Sequence, residues 1–244
     1  MAKLIIANWK MNGDSSKINH DIEYYQNMPV TNQKNVVLAL PYSYIGLAQQ
    51  KLLASANIQL AAQDLSQYPN YGAYTGEING SMLKDIGASY VLIGHSERRS
   101  LLGESDEILV NKLSNAFASN LIPVFCVGEV LAIREAGSYL TFIEKQLSQL
   151  SQLKSLGDMV IAYEPCWAIG SGKIPTLIEI GEVVKFIHSY MQKNFAYATI
   201  TVLYGGSVTG QNAQEILAVD GVDGVLVGGA SLKATDFTSI CECA

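Results

Sequence analysis

Eight short, nearly continuous apolar runs punctuate the chain and constrain its fold more than any other feature. They are Leu4-Ile5-Ile6-Ala7, Val36-Val37-Leu38-Ala39-Leu40, Ile58-Gln59-Leu60-Ala61-Ala62, Tyr90-Val91-Leu92-Ile93, Ile122-Pro123-Val124-Phe125-Cys126, Met159-Val160-Ile161-Ala162-Tyr163, Ile200-Thr201-Val202-Leu203 and Gly224-Val225-Leu226-Val227. Runs of this length without strict alternation fit strands buried on both faces, as in a parallel sheet. Pro123 is awkward in a central strand and is expected at the strand start. Helix-period stretches lie between the runs, among them Asp21 to Tyr25 and Glu144 to Leu150. Thr176 with Glu179 reads as a capping box that opens a helix through about His188. The rhythm is that of successive βα units, which an open doubly wound sheet would share. Eight units in 244 residues, with no linker rich in Pro, Gly or Ser, favour closure into an α/β barrel of the (β/α)8 type, one domain over residues 1–244.

Composition narrows the function classes. Hydrophobic residues make up 49% and charged residues 16%, which excludes a disordered chain. No apolar run approaches the roughly 18 residues of a spanning helix, so no membrane role is expected. Lys and Arg total 16 against 22 Asp and Glu, and this net charge of −6 argues against nucleic acid. An anionic ligand must then be held by local donors. Leu4 to Ala7 is too short for the core of an export signal. Cys126, Cys166, Cys241 and Cys243 lack zinc-site spacing, and Glu242 spoils a prenylation box at Cys241-Glu242-Cys243-Ala244. A cytoplasmic protein is expected.

In a closed βα barrel the active site lies where the strands end at their carboxyl side. Asn8 and Lys10 follow the first run, His95-Ser96-Glu97 the fourth, and Glu164 the sixth. Gly205-Gly206-Ser207 follows the seventh and Gly228-Gly229-Ala230-Ser231 the eighth. The barrel would therefore gather a carboxylate, an imidazole and an ammonium that are distant in sequence. His95 stands where a strand ends and a helix begins; its bland reading is a strand cap, and its functional one a neutral donor to a carbonyl oxygen. His20 and His188 fall inside helical stretches and are expected to be solvated. Glu164 is either a loop carboxylate or, beside Trp167 and Ile169, a base stripped of water. Lys10 is a solvated lysine or an anchor for negative charge. The two glycine turns let bare backbone N–H groups approach a ligand, and phosphate sites in barrels commonly use these two loops. Gly170-Ser171-Gly172-Lys173 resembles part of a nucleotide loop but lacks its first glycine and its hydroxyl. No nucleotide cofactor and no metal are expected, since no His/Asp/Glu cluster has ligand spacing.

Asn8-Trp9-Lys10-Met11-Asn12, Gly94-His95-Ser96-Glu97-Arg98-Arg99, Ala162-Tyr163-Glu164-Pro165, Trp167-Ala168-Ile169-Gly170, Tyr204-Gly205-Gly206-Ser207-Val208 and Leu226-Val227-Gly228-Gly229-Ala230-Ser231-Leu232 resemble, in order and across the whole chain, the motifs of the triosephosphate isomerase family. The resemblance implies the TIM-barrel fold and a cofactor-free interconversion of dihydroxyacetone phosphate and D-glyceraldehyde 3-phosphate. By it Glu164 is the base, His95 the neutral electrophile, and Lys10 the stabiliser of negative charge. Asn8 orients substrate oxygens, and Glu97 holds Lys10. Gly170, Ser171, Ser207, Gly228 and Gly229 grip the phosphate. A lid over about Trp167 to Thr176 excludes water. Another barrel isomerase of a small phosphorylated sugar would share the glycine loops without needing this placement of Lys, His and Glu. The departures fall in the lid, at Cys166, Ser171 and Ile174-Pro175. The segment Gln63 to Glu77 is long for a connection and carries three tyrosines, a composition that suits an interface. Within it, Gly72 to Glu77 resembles the family's interdigitating loop, which implies a homodimer with Thr75 near Asn8 and Lys10 of the partner.

Overall fold

The computed structural model describes residues 3–28, 35–52, 57–169, 174–195 and 200–244. Its elements run β1 (Leu4–Asn8), α1 (Ser15–Gln26), β2 (Val36–Leu40), α2 (Tyr42–Lys51), β3 (Ile58–Ala62), α3 (Gly80–Asp85), β4 (Ala88–Ile93), α4 (Ser96–Leu101) and α5 (Asp106–Ala118). They continue with β5 (Ile122–Val127), α6 (Leu131–Glu135), α7 (Tyr139–Ser148), β6 (Val160–Tyr163), α8 (Leu177–Phe195), β7 (Thr201–Tyr204), α9 (Ala213–Leu217), β8 (Gly224–Val227) and α10 (Ala234–Cys241). The strands pair in parallel and in sequence order, and β1 meets β8 through Leu4 beside Gly224 to close the barrel. Each of the eight apolar runs is a strand, and the closed (β/α)8 architecture is the one expected.

Both faces of every strand are covered because successive side chains serve different cores. Leu4, Ile6, Val37, Ala39, Ala61, Leu92, Val124, Val160, Ala162, Leu203 and Leu226 fill the barrel interior. Their neighbours Ile5, Ala7, Val36, Leu38, Leu60, Ile161 and Val225 pack outward against the helices. Burying an aliphatic side chain of this size contributes about 1.5–3 kcal/mol. Helices answer with their own apolar stripes. On α5, capped by the Ser105 hydroxyl accepting from Ile108 N–H, the buried positions Leu109, Lys112, Leu113 and Ala116 recur at helical spacing.

Some boundaries differ from the sequence reading. The capping box at Thr176 is present, with Thr176 N–H donating to Glu179 Oε2 at 2.8 Å and Glu179 N–H to Thr176 Oγ1 at 3.2 Å. The helix it opens passes His188 and reaches Phe195, because buried Met191 extends the apolar stripe. The Glu144–Leu150 stretch is α-helical only through Ser148 and then tightens into a 3₁₀ turn, Gln149–Gln152. Pro123 is the second residue of β5, paired beside Val91. His20 is exposed as expected, but His188 is not a solvated residue. Its Nε2 lies 2.8 Å from the Gly221 carbonyl oxygen, since α8 packs over the turn that leads into β8.

Candidate active site

The alternation that fills the barrel also builds its mouth. Continuing the inward series Leu4, Ile6 gives Asn8; continuing Val160, Ala162 gives Glu164; and continuing Ala61 gives Gln63. Asn8 and Glu164 are accordingly buried polar residues at strand ends. On β4 the series would reach Gly94, whose φ of 72° suits glycine, and this turn presents His95 instead. A cavity of about 410 Å³ opens there, lined by Asn8, Lys10, His95, Glu164, Ser207 and Gly228 among others. Gly229 lines it too.

Each candidate group is held by named partners. Lys10 adopts φ 53°, a left-handed conformation that costs a non-glycine residue of order 1–3 kcal/mol. Asn8 Oδ1 accepts from Lys10 N–H at 3.0 Å, and Gln63 Nε2 donates to the Lys10 carbonyl oxygen at 2.9 Å, so the strained residue is pinned on both sides. Lys10 Nζ pairs with Glu97 Oε1 at 2.5 Å. His95 caps α4, and its Nδ1 accepts from Glu97 N–H at 3.3 Å. With Nδ1 used as an acceptor, a neutral ring carries its proton on Nε2. That Nε2 lies 3.1 Å from Glu164 Oε1. The approach is too poorly aligned for a hydrogen bond, so buried Glu164 Oε1 keeps no hydrogen-bond partner. Glu164 Oε2 accepts from Ser96 N–H at 2.8 Å, the backbone of the same helix start.

Glycine is required where chains crowd Glu164. A Cβ on Gly128 would stand 1.7 Å from the Glu164 carbonyl oxygen, so no side chain fits there. The thiol of Cys166, two residues after Glu164, is pushed up to about 12, first by burial and then by the Glu164 charge, which keeps it a thiol.

Most of the residues expected at the site meet here. Ser207 also reaches the lid side, its hydroxyl donating to the Ala168 carbonyl oxygen at 2.9 Å. Gly170 and Ser171 lie outside the described residues. Thr75 does not line the cavity; it sits on the exposed 68–77 segment, where Tyr68 and Tyr74 stack with ring centroids 4.0 Å apart. Among the described residues no group of three or more His, Cys, Asp or Glu is placed to hold a metal ion. Sequence reading gives Gln63 and Glu129 no site role, and it places Ser96 after the fourth run without one. Gln63 and Glu129 follow the third and fifth runs, and the strand-end rule extended to those runs reaches both. The rule reaches Ser96 by position, but its contact with Glu164 is made by a backbone N–H, which side-chain chemistry does not signal.

A closed (β/α)8 barrel with a carboxylate, an imidazole and an ammonium at its carboxyl mouth defines the class, a barrel enzyme equipped for proton transfer. Comparison with known proteins narrows it. The triosephosphate isomerase family model matches residues 3–244. The chain is 41% identical over 245 residues to the triosephosphate isomerase of Azoarcus sp. (strain BH72), covering 99% of both. It is 42% identical over 245 residues to that of Neisseria meningitidis serogroup A, covering 99% of this chain and 97% of the relative. The crystal structure of triosephosphate isomerase from Bartonella henselae superposes with a TM-score of 0.88 at 36% identity, covering 100% of this chain and 99% of that one. The chain belongs to the triosephosphate isomerase family and is an isomerase.

Proposed function

We propose that Glu164, His95 and Lys10 are the catalytic groups of this isomerase. Its reaction is the interconversion of dihydroxyacetone phosphate and D-glyceraldehyde 3-phosphate, an aldose–ketose isomerisation of glycolysis and gluconeogenesis. The observation that carries the assignment is the unpartnered Oε1 of buried Glu164, 3.1 Å from His95 Nε2, at the wall of the cavity. A carboxylate oxygen with a free lone pair removes the proton alpha to the carbonyl and returns it to the neighbouring carbon. His95, bearing its proton on Nε2, donates to the carbonyl and then the enediolate oxygens. Lys10 balances the developing negative charge, with Glu97 orienting it and Asn8 aligning substrate oxygens. Ser207, Gly228 and Gly229 bind the phosphate, joined by Gly170 and Ser171.

Residues 1–244 act as one domain, in the cytoplasm and as a homodimer. Tyr71 and Met11 are strongly exposed, at 72% and 95%, which supports an unfilled contact beside the active site. Thr75 reaches the partner's site in this arrangement. A coupled assay of purified protein on D-glyceraldehyde 3-phosphate, with no added metal or nucleotide, should give turnover; an inactive wild type would sink the assignment. Sedimentation should give a dimer, and Thr75→Arg a monomer of low activity, because the substitution buries an unpaired charge.

A further inference from the structure

Arg134 on α6 stands where two separate stretches of chain are tied down. Its guanidinium stacks 3.9 Å from the Tyr139 ring centroid and lies 5.9 Å from that of Trp167. Nη2 donates to Glu179 Oε1 at 2.9 Å, and Nη1 lies 3.7 Å from Glu129 Oε1. Each carboxylate in turn anchors one flank of the chain beside the cavity. Glu129 Oε1 accepts from Trp167 Nε1 at 2.9 Å and from the Tyr163 hydroxyl at 3.2 Å. The Glu129 carbonyl oxygen accepts from Cys166 N–H at 3.0 Å. On the other flank, Glu179 Oε2 accepts from Thr176 N–H at 2.8 Å and from its hydroxyl at 2.9 Å.

The link to Glu129 is a charge pair without a hydrogen bond, since Arg134 Nη1 and Glu129 Oε2 are both buried and unpartnered. Glu129 is fully buried, and burial pushes its carboxyl up against the opposing bonds from Trp167 and Tyr163 and the Arg134 charge. One guanidinium therefore serves a buried carboxylate that holds residues 163–167 and a second carboxylate that caps the helix at Thr176. The planar guanidinium spreads its charge over two separated nitrogens, Nη2 toward Glu179 and Nη1 toward Glu129, whereas a lysine in its place concentrates the charge at one atom on a shorter stem.

We propose that Arg134 is a positioning residue for the isomerisation, coupling the anchor of Tyr163 and Trp167 to the anchor of Thr176. Tyr163 directly precedes Glu164, so slack in the first anchor reaches the base through one peptide unit. The proposal rests on Glu164 being that base. It is tested with Arg134→Lys, Glu179→Gln and their combination, the second chosen because glutamine still accepts from Thr176 while losing its charge toward Arg134. Arg134→Lys should lower kcat/KM on the order of tenfold, with a parallel loss of affinity for a phosphate-bearing transition-state analogue and little change in inhibition by inorganic phosphate. The double variant should be no worse than Arg134→Lys alone, because both break one coupling. A merely structural role would lower the melting temperature and leave kcat/KM and analogue affinity of the folded variant intact, which would overturn the proposal. Additive losses in the double variant would overturn it as well. Should Arg134→Lys fail to fold, an unchanged kcat/KM in Glu179→Gln overturns it alone. Full turnover in Glu164→Asp, measured in the same assay, would mark failure of the base assignment instead.

Discussion

Two buried sets of opposite charges lie on this barrel and are built in opposite ways. Outside the strands, Lys112 on α5 donates to Asp64 at 2.6 and 2.7 Å and to Glu104 at 2.5 Å, while Arg98 on α4 meets the same two carboxylates, each at 2.7 Å. Every charge there has two partners of opposite sign. Burial still raises the Asp64 carboxyl, opposed by Lys112 and then Arg98. At the mouth, by contrast, Glu164 Oε1 has no hydrogen bond, and Lys10 is held in a strained backbone conformation with its side chain against the cavity. The first set pairs each cation with both carboxylates, leaves only Glu104 Oε2 without a hydrogen bond, and locks α4 and α5 to the loop after β3 away from the cavity. The second leaves an acceptor without a hydrogen bond and holds its cation at the cavity wall against the more exposed carboxylate of Glu97, an arrangement that suits an anionic substrate.

The sharpest way to test this contrast is to break the first set. Lys112→Met keeps the unbranched stem of the side chain but removes its ammonium, leaving two carboxylates sharing one cation in a buried place. We expect a loss of about 3–5 kcal/mol in unfolding free energy, read by urea denaturation, with turnover per folded molecule retained. A catalytic loss without a stability loss would dissolve the distinction between the two sets. Next comes the second set: Glu164→Asp withdraws the proposed base and should cost roughly a hundredfold in kcat while the melting temperature holds. His95→Gln should likewise lower turnover more than affinity for a phosphate analogue. Equal losses in both would assign His95 to binding.

The contrast also marks how much could be read in advance. The barrel was legible because each buried strand appears as an apolar run, and the strand-end rule led to Asn8, Lys10, His95 and Glu164. The first set was not, since Lys112 and Asp64 look like ordinary surface residues until α5 packs onto the sheet. Their only trace is a lysine on the apolar stripe Leu109, Leu113 and Ala116. The role of Ser96 was hidden for another reason, since at Glu164 it is a backbone N–H, which no side-chain pattern encodes. Gln63 and Glu129 were within reach by parity along β3 and by position after β5.

A smaller effect is expected at Pro175, just before α8. Pro175 is buried beside exposed Ile174, and its ring fixes φ while restricting the residue before it. Fewer conformers at this flank mean less entropy lost when substrate orders it. Pro175→Ala should loosen binding of a phosphate-bearing transition-state analogue by a few-fold, which titration calorimetry would measure. Tighter binding would show that proline obstructs the bound arrangement.

The smallest effect concerns the charge that caps α8. Burial by itself would raise the Glu179 carboxyl, but the Thr176 N–H, the Arg134 guanidinium and the Thr176 hydroxyl together hold it below its ordinary value of 4.5. An unfolded chain lacks these partners, so on acidification it takes up the proton first. The cap therefore stabilises the fold above the ordinary carboxylate value and loses that contribution as pH falls through the lower, folded value. Glutamine at this position keeps an acceptor for Thr176 but does not titrate. The difference in unfolding free energy between wild type and Glu179→Gln should be full at neutral pH and shrink below pH 4.5. Because the Glu179 side chain is 36% exposed, solvent screens much of the effect, and added salt should reduce it further. A difference that stays constant through the acid range would mean that the capping box works through hydrogen-bond geometry alone. In that case the Arg134 pair would contribute no charge-dependent stability either.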